Sequence, residues 1–168
     1  MLRPVVRVLI SRFSIAFIEL VIAVPMALGV REVWSRLWQQ PDLHEQIETI
    51  GGLGIIMIGL GVVLEERGAL RQIFGLAPAP DEAWQAHLDH NCHHAGLGQL
   101  VLGLFAEISI ELTKIPNSVI YTGEVDDWLV AAGCIMVGVG GLLLIRHAVV
   151  LLFLLRRQFL AAEGNLHP

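Results

Sequence analysis

Residues 128–145 read WLVAAGCIMVGVGGLLLI, eighteen consecutive positions without a charged side chain. At about 1.5 Å of rise per helical residue the run covers roughly 27 Å, close to the ~30 Å hydrocarbon core of a bilayer. It shows none of the strict alternation of a barrel strand. Three other stretches behave alike: residues 10–30, interrupted only by Arg12, Ser14 and Glu19, residues 47–64, and residues 95–112. Together they predict an all-α integral membrane protein, a four-helix transmembrane bundle forming a single domain over residues 1–168. Four segments could not close a barrel, and no open sheet edge survives in lipid. Apolar residues resume after Arg146 and His147, so the last helix is expected to continue to about residue 157.

Composition agrees. The chain is 55% hydrophobic with a mean hydropathy of +0.66, above the apolar share of ordinary soluble domains. Its formal charge of −5 and the lack of a basic stripe argue against a nucleic-acid partner. Cys92 and Cys134 are read as free thiols, because two cysteines, one inside an apolar run, make no disulfide framework. Arg3, Arg7 and Arg12 precede the first apolar run, as in a secretion signal. That run is too long for a signal core and carries Glu19, so an uncleaved first span is expected.

Basic residues set the orientation. Arg3, Arg7, Arg12, Arg67, Arg71, Arg146, Arg156 and Arg157 fall on one side of the spans, and Arg31, Arg36 and Lys114 on the other. The positive-inside rule therefore predicts cytoplasmic N and C termini, in a bacterial inner membrane or its equivalent. Trp34, Trp38 and Trp128 stand where outer interfacial anchors belong. Val33, Trp34, Leu37 and Trp38 recur at helical spacing and predict a short amphipathic interfacial helix before Pro41. Leu70, Ile73, Phe74 and Leu76 do the same on the inner side, ahead of the Ala77–Pro80 break. Asp81 is then the expected N-cap of the helix that enters the third span.

Glycines recur seven apart at Gly52 and Gly59, Gly54 and Gly61, Gly96 and Gly103, and Gly133 and Gly140. Small residues at heptad spacing let helices approach closely in lipid. A homo-oligomer or a partner membrane protein could use the same faces.

Three carboxylates lie within the spans. Glu19 is expected about 14 Å deep and Glu107 about 18 Å deep, counted from the inner boundary at 1.5 Å per residue. Glu111 shares the face of Glu107, one turn further out. A carboxylate at this depth is costly and usually marks a proton or ion path. A second group is inner-facing. His87, His90 and His94 fall three and four residues apart, with His93 beside them. That spacing can chelate a transition-metal ion, with Glu65, Glu66 and Cys92 near enough in sequence to help. Arg146 ends the fourth span at their level and is expected to make an ion pair or to snorkel. A haem between His94 and His147 is not expected, since a lone histidine near a helix end is commonplace.

No nucleophile elbow, P-loop, dinucleotide fingerprint or H-E-x-x-H occurs. The expectation is a protein that binds protons or a metal cation in an ion-handling role. The alternative is a non-catalytic accessory subunit of a larger membrane complex, and a metal-dependent redox protein comes third.

Overall fold

A computed structural model describes residues 11–37, 43–75, 82–115 and 125–164. Every regular element among them is helical: α1 (Arg12–Arg36), α2 (Leu43–Glu65), α3 (Arg67–Ile73), α4 (Glu82–Thr113) and α5 (Asp126–Gly164). Four of these helices are long and apolar enough to cross a membrane, over Phe13–Arg36, Leu43–Glu65, Leu88–Thr113 and Asp126–Phe153. Ser11 caps α1, its hydroxyl oxygen accepting from the Ser14 amide at 3.3 Å. Helix α1 then runs through Pro25, near its middle, without a break, because neighbouring helices brace the ladder from which the proline removes a bond.

The two expected interfacial helices fare differently. Residues 33–36 are the last turn of α1, with Val33 and Leu37 buried, while Trp38 and Pro41 lie outside the described residues. The inner segment does form a separate short helix, α3. Its Arg67 is buried and forms an ion pair with Asp89 of α4, while Arg71 reaches the other oxygen of the same carboxylate at 3.3 Å. Asp81 lies outside the described residues. Helix α5 runs on to Gly164, past its expected end.

Helices α2 and α4 pack antiparallel along two of the heptad glycine pairs. A Cβ on Gly61 would stand 2.8 Å from the Gly96 carbonyl oxygen, and one on Gly103 would stand 2.8 Å from that of Gly54. Backbone touches backbone at both levels, which only glycine permits. The third glycine pair serves α2 and α5 instead. Ile50 of α2 presses on Gly133, and Met57, seven residues on, presses on Gly140. Both side chains are wholly buried in a main core that also holds Met26, Ile110, Val137 and Leu144. In lipid such dense contact, rather than expulsion of water, is what holds helices together.

A smaller apolar cluster closes the end of the bundle at which α1 begins: Ile15, Ala16, Leu64, Leu88, Cys92, Ala148 and Leu151. Around the bundle the order is α1, α2, α4, α5, with α2 and α5 also touching across the short diagonal. Among the described residues, α1 and α4 share no backbone approach within 8 Å. Phe17, Val24, Leu28, Phe105, Leu142 and Phe153 are turned outward and exposed, as a lipid-facing surface requires.

Candidate functional site

Glu19 projects from the inner half of α1 into the bundle and is wholly buried. There it meets His147 of α5, whose Nδ1 lies 2.6 Å from Glu19 Oε1. Ala16 and Ala148, both in the inner cluster, are small enough to let the two helices close on this pair. The buried thiol of Cys92, on α4, adjoins the imidazole. Three helices therefore contribute to one polar island in an otherwise apolar neighbourhood.

The island is incompletely satisfied. Glu19 Oε2 and His147 Nε2 are both buried without a hydrogen-bond partner among the described residues. A neutral imidazole has one donor and one acceptor nitrogen. With Nδ1–H donating to the carboxylate, Nε2 carries the lone pair and can accept a further proton. The pair can thus exist with one or two protons, and the change between them alters its net charge where lipid makes charge costly.

Depth explains how this partnership could be read from the chain. Glu19 follows Arg12 by seven residues and His147 precedes Arg156 by nine, similar depths of about 10–14 Å at 1.5 Å per residue. Similar depth on antiparallel helices is the signal, and it needs to be known that α1 and α5 are neighbours.

Glu107 is elsewhere. Its Oε2 is buried without a partner in a niche where α2 carries glycines, 3.5 Å from a Cβ on Gly51 and 3.2 Å from one on Gly54. Because α1 and α4 are diagonal, Glu19 and Glu107 are not brought together. Glu111 is exposed and pairs with Lys114 at 2.6 Å. The hydrogen bond that Lys114 donates to Glu111 raises its pKa above the ordinary value, against desolvation and with help from the fields of Glu111, Glu107 and Glu48.

On the inner part of α4, His90 and His94 come together, Nε2 to Nε2 at 3.1 Å with edge-to-face rings, and His93 lies beside His94. The side chain of His87 lies outside the described residues. Glu65 ends α2 half-buried, and Glu66, exposed, stands at the start of α3 without capping it. Among the described residues no group of three or more His, Cys, Asp or Glu side chains is disposed to hold a metal ion. Arg146 is exposed and shares a cleft with His94 and His147.

Three polar participants have no sequence motif to announce them. Gln99 is wholly buried and donates from Nε2 to the Gly140 carbonyl at 2.7 Å, tying α4 to α5, while its Oε1 has no partner. Arg67 and Asp89 form the inner clasp. Each is an isolated polar residue whose value depends on what faces it. No protein-family model, curated protein or solved structure matches the chain.

Proposed function

We propose that the chain is an ion-handling membrane protein in which the Glu19–His147 pair takes up and releases a proton inside the bundle. The observation that carries this reading is the pair itself, buried, 2.6 Å apart, and with an unpartnered atom on each member among the described residues. A purely structural pair would be expected to satisfy both outer atoms, since an unsatisfied buried polar group costs about 1–3 kcal/mol. The excess of basic residues at the inner ends supports cytoplasmic termini, so the pair lies nearer the cytoplasm than the bilayer midplane.

The test uses the full chain reconstituted in liposomes containing a pH-sensitive dye, with a potassium diffusion potential applied. Wild-type vesicles should acidify or alkalinise at least tenfold faster than empty ones. Glu19→Gln and His147→Gln should return to the empty-vesicle rate while keeping full helicity. A wild-type rate in Glu19→Gln overturns the reading.

The histidines of α4 belong to the same proposal as a transition-metal site at the inner surface. The contact of His90 with His94, and the spacing of His87, support it. Elemental analysis of protein purified without chelator, compared with His90→Ala/His94→Ala, tests it: a bound metal lost in the double variant is expected.

A second reading, an accessory subunit, draws on a different observation. Among the described residues a Cβ on Gly52 or Gly59 would meet nothing within 4 Å, so this heptad pair on α2 is unused by them. Exposed Ile55, Ile56, Val62 and Val63 flank it. Disulfide cross-linking of Gly52→Cys and Gly59→Cys in membranes would trap a partner or a second copy. Wild-type proton flux in Glu19→Gln together with such trapping would favour the subunit.

A further inference from the structure

Between α4 and α5, at the inner end, lies a cleft of ≈ 180 Å³ lined by Asn91, His94, Leu143, Arg146, His147 and Val150. At about 30 Å³ per water molecule it could hold several waters or one small solute. Its polar wall consists of an amide, two imidazoles and a guanidinium, and no carboxylate is among its described lining residues. His147 is 7% exposed, and its Nε2 is the buried nitrogen left without a partner. The Nδ1 of the same ring is occupied by Glu19, so the ring is held by its back edge.

We propose that this cleft binds a small monovalent anion, a short carboxylate or an inorganic anion of similar size, together with a proton on the Glu19–His147 pair. The inference deepens the proton-handling reading and rests on it. Arg146 supplies a permanent positive charge, since a guanidinium does not lose its proton in a protein. A cation entering the cleft would be repelled by that permanent charge. An anion would meet the guanidinium and the Asn91 amide, beside a His147 ring that becomes positive once the pair holds its second proton.

The charge balance favours joint binding. With two protons the pair comprises a carboxylate and an imidazolium and is neutral overall. Arg146 then leaves one positive charge, which a monovalent anion cancels, and a neutral assembly is the least costly one in lipid. With one proton, the pair is negative and His147 Nε2 presents a lone pair that repels the anion. The groups facing His147 are Glu19 from α1, Cys92 and His94 from α4 and Arg146 on its own helix, while the inner cluster adds Leu64 from α2. His94 lines the same cleft, its Nε2 3.1 Å from that of His90.

The full chain in lipid nanodiscs is titrated calorimetrically with sodium acetate, sodium chloride and sodium nitrate, at pH 6 and pH 8, in two buffers of different ionisation enthalpy. Saturable binding of at least one anion is expected, with uptake of a proton and an affinity that tightens on acidification by up to tenfold per pH unit, the limit for one linked proton. Arg146→Gln should weaken it at least tenfold. Leu143→Trp fills the cleft, leaves the Glu19–His147 pair untouched, and should abolish it. Absence of saturable binding by wild type for all three anions overturns the proposal, as does undiminished binding in both variants. If flux through liposomes is lost in Glu19→Gln but no anion binds, this inference fails and the proton reading stands. If an anion binds with proton uptake but flux equals that of empty vesicles, the flux reading fails and the site stands.

Discussion

Glu19 and His147, 128 positions apart in the chain, meet at 2.6 Å inside the bundle. Neither has another side-chain partner for its remaining buried atom. Among the described residues Glu19 has no other polar compensation, and the His147 ring has beside it the weakly polar Cys92 thiol. Removing one should be worse than removing both.

His147→Ala should destabilise the protein by about 3–5 kcal/mol, because it strands a buried carboxylate. Glu19→Leu combined with His147→Leu should recover most of that loss. A double-mutant cycle measured by denaturant titration in micelles checks this. A double variant whose loss equals the sum of the losses of Glu19→Leu and His147→Leu alone would show that the pair is not energetically coupled.

The glycine positions separate by face. Gly61→Val or Gly96→Val would drive a side chain into the opposite backbone, where a Cβ already stands 2.8 Å or less from a carbonyl oxygen. Overpacking of this kind costs about 1–3 kcal/mol, and more where backbone cannot yield. Gly52→Ala and Gly59→Ala meet open space and should be neutral or slightly stabilising in the isolated chain, since alanine favours helix by up to about 1 kcal/mol. Thermal unfolding of the four variants in one detergent decides it.

Gln99 gives a contrast of shape against polarity. Gln99→Leu deletes the bond to Gly140 but also the unpartnered Oε1 beside Met57, and should change stability by less than about 1.5 kcal/mol. Gln99→Ala leaves a void in a dense interface and should cost about 2 kcal/mol or more. Equal losses for the two would place the energy in the hydrogen bond instead.

Lys114 and Glu111 are solvent-exposed, and their pair should contribute little. The Lys114 pKa is raised in the folded protein, so its contribution is present below the unfolded value and fades as pH rises through the folded one. The ordinary lysine value is 10.5, which places that loss in strongly alkaline solution. Glu111→Gln should shift stability at pH 7 by no more than about 0.5 kcal/mol and leave proton flux unchanged. Flux measured beside Glu19→Gln discriminates the outward carboxylate from the inward one.

The four spans were legible in the chain because lipid imposes its demand on every residue of a segment. A run such as 128–145 has to be apolar throughout, whatever packs beside it, so length and composition suffice. The heptad glycines were legible for a related reason: a repeat on one helix marks a face even before its partner is known. Which face meets which was not. Gly54 and Gly61 met Gly103 and Gly96, while Gly133 and Gly140 received Ile50 and Met57, and Gly52 and Gly59 met nothing among the described residues.

The polar residues divide along the same line. Sequence marked Glu19, Glu107 and Glu111 as unusual, because a carboxylate within an apolar run is rare whatever surrounds it. Only the order of helices around the bundle decided their partners. With α1 against α5 and diagonal to α4, Glu19 falls to His147, Glu107 lies in the glycine niche of α2, and Glu111 turns outward to Lys114. Membership of a span is a property of local composition. Partnership between spans is a property of packing, and depends on which small residues let which backbones touch.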